Sequence, residues 1–325
     1  EQWILPNEVP LVTATNNKEG IVEIDEQSDI TIIKTNTSVL TFQKETGEIS
    51  SYKVKNKEYL EEGLRPNFWR PLTDNDVANG APSRWAVWKH AGDELALTSF
   101  SHNIDKQSGE VIVTSEYAHH RLNIYCTMTY SIYPDGSVKV SYKFTPKNRT
   151  LPEIPRFGIR MVIKGEFENM TWFGRGPFEN YWDRKSAADI DLYSATVWEQ
   201  YEPYIRAQET GNKSDVRWTA LRNDSGDGLL IKASGKPLNV SAWNFPIEDI
   251  YYIPAETKRV HGGSIVKKDM VWLNIDHLHM GVGGDNTWGA QTHPEYTITP
   301  VEMEYEFFIT PINKGDELWK KANSL

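Results

Sequence analysis

Residues 122–144 constrain the fold more than any other stretch of the chain. Leu122, Ile124, Cys126, Met128, Tyr130 and Ile132 recur at every second position, Pro134-Asp135-Gly136 breaks the run, and Val138, Val140, Tyr142 and Phe144 resume it with Lys139, Ser141 and Lys143 between them. A two-residue period sends alternate side chains to opposite faces of an extended strand, and a Pro-Asp-Gly break turns the chain, so this segment predicts an antiparallel hairpin. Cys126 falls in the inward stripe and is expected to be a buried, inert thiol rather than a nucleophile.

The same pattern recurs at both ends. Ile30, Ile32, Leu40 and Phe42 lead into a turn at 44–48 and on to Ile49 and Tyr52, and Val301, Met303, Tyr305, Phe307 and Ile309 alternate with Glu302, Glu304 and Glu306. Those glutamates read as the solvated face of an outer strand, guarding it against edge pairing, rather than as paired catalytic carboxylates. Two short helices are expected, one over Ser83–Glu94 after Pro82, with Trp85, Trp88 and Ala91 at spacings of three, and one over Gly315–Ala322. Strand and helix patterns do not alternate, so a parallel α/β barrel is not encoded. No linker-like tract or repeat interrupts residues 21–313, and one large antiparallel sandwich is the simplest account. Residues 1–20, with Trp3, Pro6 and Pro10, read as a stiff extended lead-in.

Composition narrows the function classes. The 12 Trp, 15 Tyr and 11 Phe among 325 residues supply large rigid surfaces for a core. A net charge of −10, without any Lys/Arg cluster, argues against a nucleic-acid partner, which requires a basic face. Apolar runs fall far short of the roughly 20 residues that cross a bilayer. Residues 1–20 lack the basic start and apolar stretch of a signal peptide, and a chain beginning at Glu1 fits a processed product or an excised fragment. The single cysteine excludes an intrachain disulfide and a cysteine-based metal cluster, and leaves cytoplasm and periplasm both open.

Four segments could carry chemistry. Trp172 to Arg184 mixes Arg175, Glu179, Asp183 and Arg184 among aromatics around a Gly-Arg-Gly-Pro bend. It reads as a sugar or ion pocket or, preferably, as an irregular segment whose charges satisfy one another, because isolated charges are not taken out of water. Thr73-Asp74-Asn75-Asp76 invites a calcium reading, but Ala78 and Asn79 stand where an EF-hand needs an Asp or Asn and a Gly, so Asx-type turns account for it better. His277 and His279 would share one strand face, as metal ligands sometimes do. A third ligand has no obvious position, and a hydrogen-bonded polar layer is the preferred reading. Gly281 to Ala290 is neither a dinucleotide nor a phosphate loop. Its glycines allow close backbone approach, and Trp288 is either one more core indole or a flat plate for a pyranose, with Asp285 and Asn286 placed to bond hydroxyls.

Three of these segments also carry a resemblance. Arg70-Pro71 with Thr73-Asp74-Asn75-Asp76, Gly174-Arg175-Gly176-Pro177 with Glu179-Asn180-Tyr181 and Asp183-Arg184, and Trp272 to Asp276 running into His279 to Asp285 resemble, in order and interval, the small-chain domain of β-galactosidases. The resemblance covers essentially the whole chain and departs from the pattern at His277-Leu278 and over residues 289–296. It implies a bacterial glycoside hydrolase family two enzyme of the lactose-operon type. Residues 1–20 would be the tail of a preceding immunoglobulin-like domain or linker. Residues 21–325 would form an all-β fold, a large antiparallel supersandwich like galactose mutarotase. The catalytic barrel, with both catalytic carboxylates, would lie upstream of residue 1, along with two immunoglobulin-like domains and a sugar-binding jelly roll, leaving this domain with no catalytic residue and no cofactor. Magnesium and sodium, common in full-length members, would be bound mainly outside it. Trp288 matches the family's tryptophan that stacks on the sugar beside the scissile bond. The implied partners are a galactoside, the other domains of the same chain and a possible second copy, with no nucleic acid or membrane. Two other readings stay open: a stand-alone carbohydrate-binding or aldose-epimerase-like protein, using His277 or His279 with Glu179 or Asp276, and a purely architectural module.

Overall fold

The computed structural model describes residues 2, 20, 22–105, 109–251, 260–286 and 288–323. The lead-in with Trp3, Pro6 and Pro10 lies outside the described residues. The chain opens with a meander of β1 (Glu23–Glu26), β2 (Ile30–Lys34), β3 (Ser38–Gln43), β4 (Ile49–Val54) and β5 (Lys57–Glu58), paired in sequence order. Then follow β6 (Leu60–Asn67), helices α1 (Asp74–Ala78) and α2 (Ala81–Arg84), and four long strands, β7 (Ala96–Ile104), β8 (Val111–His119), β9 (Ile124–Ile132) and β10 (Val138–Pro146). The second half adds β11 (Arg156–Lys164), β12 (Asn169–Gly176), β13 (Asp189–Thr196), β14 (Lys213–Val216) and β15 (Trp218–Arg222). It closes with β16 (Gly228–Ser234), β17 (Leu238–Trp243), β18 (Met270–His279), β19 (Met303–Ile312) and helix α3 (Leu318–Asn323).

Nine strands form one antiparallel sheet in the order β13-β12-β15-β16-β19-β10-β9-β8-β7, and five more form a second, β14-β17-β18-β11-β6. The fold is all-β, as the alternation predicts. The hairpin forms with Cys126 opposite Phe144 and Tyr130 opposite Val140. Its inward stripe is buried, Cys126 included, and burial pushes that thiol up to about 12. Aromatic rings join the sheets: Phe157 on β11 lies 5.1 Å from Tyr142 on β10 and 5.9 Å from Tyr305 on β19. Phe42 on β3 meets Tyr130 on β9 at 5.3 Å, tying the meander to the same core.

Two expectations change. β19 is not an outer strand: it lies between β16 and β10 inside the large sheet. Glu306 pairs with Lys139 at 2.8 Å and Glu302 with Lys143 at 3.4 Å, while Ser141 donates to Glu304 at 3.1 Å. The glutamates face lysines across the strand boundary and help fix register. The helix expected over residues 83–94 is instead α2 followed by a single 3₁₀ turn, Ala86–Trp88, and turns. Side chains three apart eclipse in a 3₁₀ turn, whereas an α-helix repeats every 3.6 residues. Trp85, Trp88 and Ala91, spaced by three, all face the core. The C-terminal helix forms where expected, shifted slightly to 318–323.

Candidate functional site

The end of β18 lies beside the start of β11, and the loop leaving β18 carries Gly281 to Ala290. Its stems are fastened by one side chain from the segment after β12. Asp183 accepts hydrogen bonds from Val282 N at 3.1 Å, Gly283 N at 2.7 Å and Thr292 Oγ1 at 3.4 Å. Arg70, fully buried, donates to Gly281 O at 3.2 Å, while Gly281 N donates to Tyr296 O at 2.9 Å. A Cβ on Gly281 would stand 2.6 Å from Thr292 Oγ1 and 2.7 Å from the Asp183 carboxylate, so only glycine admits this clamp. The three segments that carry the resemblance therefore meet at one place.

Trp288 projects from this loop with 90% of its surface exposed. Its backbone N–H bonds Asn286 Oδ1 at 2.8 Å, so that amide oxygen shapes the loop under the indole. Asp285 lines a neighbouring cavity of about 350 Å³, together with Asp183, Arg184, Gly284, His293 and Tyr296. It lies 2.9 Å from His293 Nε2, and this contact raises the His293 pKa above its ordinary value. Trp288 stands outside those walls.

Behind the loop runs a buried charged layer. Arg70 grips Asp76 through both terminal nitrogens, at 2.7 and 3.1 Å. Asp76 also closes a capping box with Thr73 at the start of α1, so the Asp74-Asn75-Asp76 run is a helix start rather than a set of Asx turns. Arg156 lies 3.2 Å from Glu209 Oε1, and its Nε stands 3.1 Å from Asp276 Oδ2, close enough for attraction but not aligned as a hydrogen bond. Burial pushes Asp276 up to about 7, partly offset by Arg156 and reinforced by Glu209. In Glu209 burial opposes ionisation, but Arg156 and His279 outweigh it and hold the carboxyl below the usual range.

The two histidines do not share a face. A bulge between Phe157 and Gly158 sets Leu278 opposite Phe157 and Asp276 opposite Gly158, leaving His277 as the extra residue. His277 stacks on Tyr305 at 5.4 Å. His279 turns to the charged layer, its Nδ1 bonded to Met280 O at 2.9 Å and its Nε2 3.4 Å from Glu209 Oε1, and burial lowers its pKa. Among the described residues no group of three or more His, Cys, Asp or Glu side chains is arranged to hold a metal ion.

The charges of the 172–184 segment are all engaged, but only Glu179 and Arg184 satisfy one another; Arg175 and Asp183 find partners outside the segment. Glu179 takes Arg184, Tyr204 Oη and Gly211 N, and Arg175 takes Asp215 and the carbonyls of Lys185 and Ala188. Sequence reasoning missed Arg156 and Glu209. The only local signal is an arginine opening the apolar stretch Phe157 to Ile159, since such a residue must find a buried counter-charge.

Residues 34–309 match the family model described as beta galactosidase small chain. The β-galactosidase of Priestia megaterium is 36% identical over 299 residues, covering 92% of this chain and 28% of that protein. The β-galactosidase of Lactobacillus delbrueckii subsp. bulgaricus is 32% identical over 266 residues, covering 82% of this chain and 25% of that protein. The chain thus spans about a quarter of the length of these relatives. A solved GalM/aldose epimerase homologue from C. elegans covers 90% of this chain and 99% of its own at 9% identity, with a TM-score of 0.49.

Proposed function

The chain belongs to the beta galactosidase small chain family, and from that premise we propose that it is the C-terminal domain of a larger retaining β-galactosidase, positioning galactosides such as lactose without supplying a catalytic group. The observation that carries this reading is Trp288, whose indole is 90% exposed on a loop fastened from both sides. An unburied indole offers a flat apolar plate to the C–H face of a pyranose. Asp285 lines the cavity beside it and completes the binding set, while Asn286 acts by shaping the loop.

Retaining hydrolysis needs two carboxyl groups about 5 Å apart across the scissile bond, one of them free to attack. Near the loop, Asp183 is engaged by two backbone amides, Asp285 by His293, and Glu179 by Arg184 and Tyr204. That supports placing the chemistry in another domain and leaving this one the task of orientation. The domain needs no cofactor of its own in this scheme.

In the β-galactosidase containing this chain, Trp288→Ala raises KM for lactose roughly tenfold, equivalent to about 1.4 kcal/mol, while Trp288→Phe restores most of the loss. Unchanged KM and kcat in Trp288→Ala would remove the stacking role. This chain alone leaves a chromogenic galactoside intact, and turnover by it would place catalytic carboxylates here after all.

A further inference from the structure

The buried charged layer borders a second cavity, which Trp288 does not line but Val282 of its loop does. It holds about 180 Å³ and is lined by Asn75, Glu179, Tyr181, Arg184, Tyr204 and Glu209, among others. Arg184 lines both this cavity and the one that contains Asp285.

One oxygen of the wall lacks a partner among the described residues. Glu209 is 2% exposed, and its Oε1 faces Arg156 and His279 while its Oε2 is buried with no hydrogen-bond donor among those residues. Leaving a buried carboxylate oxygen unmatched is unfavourable, so a donor arriving through the cavity would satisfy it. Glu179 and the hydroxyls of Tyr181 and Tyr204 bring further hydrogen-bonding atoms to the same space.

The chemistry of the lining selects the ligand class. Among the described lining residues Glu179 is balanced by Arg184, Glu209 by Arg156 and Asp74 by Arg206, so no uncompensated charge calls for an ion. A neutral molecule rich in hydroxyls fits, since each hydroxyl both donates and accepts. Two phenol rings supply the apolar surface that a sugar ring's C–H groups require. The volume is below the roughly 300–1,000 Å³ of pockets for drug-sized ligands, which leaves room for one ring and not for a disaccharide.

We propose that this cavity binds a single neutral hexopyranose at a site that the Trp288 indole does not line, with Glu209 Oε2 accepting from a sugar hydroxyl.

The test is calorimetric titration of this chain with D-galactose and, in parallel, D-glucose and lactose, using wild type and Trp288→Ala, the latter also combined with Tyr204→Phe or Glu209→Gln. In the Trp288→Ala background, which removes whatever the loop contributes, saturable D-galactose binding should remain, and there Tyr204→Phe should weaken it several-fold and Glu209→Gln at least tenfold. Tyr204 is only half-buried, so its variant keeps the test decisive if Glu209→Gln does not fold. Absence of saturable binding by folded Trp288→Ala overturns the proposal, as does an unchanged affinity when Tyr204→Phe is added to it. Lactose binding as tightly as D-galactose contradicts the one-ring size limit and overturns it too.

Discussion

At the scale of single residues, burial decides which charges are held and which are altered. Burial pushes the Lys213 ammonium down to about 8, against the attraction of Glu179 and Glu202. Its Nζ donates to Gly211 O at 3.2 Å and lies 5.3 Å from the Trp172 ring centre. Between pH 8 and the ordinary lysine value of 10.5 the unfolded chain holds more protons at this position than the folded one. Stability from this group therefore rises with pH across that window and is lost as pH falls through 8, by on the order of 3 kcal/mol. Lys213→Met should flatten the alkaline rise in urea midpoint between pH 8 and 10. An unaltered slope would show that another group sets it. Lysines are seldom fully buried, and nothing in Asn212-Lys213-Ser214 marks this one as an exception. Its environment is built by Glu179 and Trp172, more than 30 positions away in sequence.

At the scale of elements, the Trp288 loop depends on the Asp183 carboxylate. Asp183→Asn leaves one oxygen to serve two amides, and the loss should be roughly 1–3 kcal/mol of local stability. Hydrogen exchange at residues 281–284 should speed up while the β9–β10 hairpin keeps its protection; equal rates in both proteins would mean Asp183 does not hold the loop. Gly158→Ala disturbs the neighbouring bulge, since a Cβ there would stand 2.0 Å from Asp276 Oδ1. How legible these elements are follows from how far their causes reach. The β9–β10 hairpin is local, with both strands and the turn inside residues 124–146, and it reads directly. The helical stretch at 83–94 reads half correctly, because spacing by three identifies the buried face but not the tighter winding. The bulge that separates His277 from His279 is invisible in the sequence, since it exists only in the pairing of β18 with β11. The charged face of β19 is legible as exposed, but its central place is not, because strand order depends on β10 and β16, both distant in sequence.

At the scale of the molecule, the two large sheets share one aromatic seam. Phe157 contacts Phe68, Tyr142, Phe144 and Tyr305. Phe157→Ala should cost about 3–5 kcal/mol of global stability without changing the denaturant slope. A loss below 1 kcal/mol would mean the sheets are held elsewhere. The site forms at the same scale: residues 70–76, 172–184 and 272–285 are legible as unusual segments, but their convergence is a property of the sheets. Arg156 and Glu209 lie outside all three segments, and it is pairing across the fold that gives them a role. The fastening of the 281–296 loop also has a thermodynamic corollary. Because both arms are secured before anything docks on the indole, a ligand there has little remaining backbone entropy to extinguish. Association at Trp288 should accordingly register as heat released, with only a modest opposing entropy.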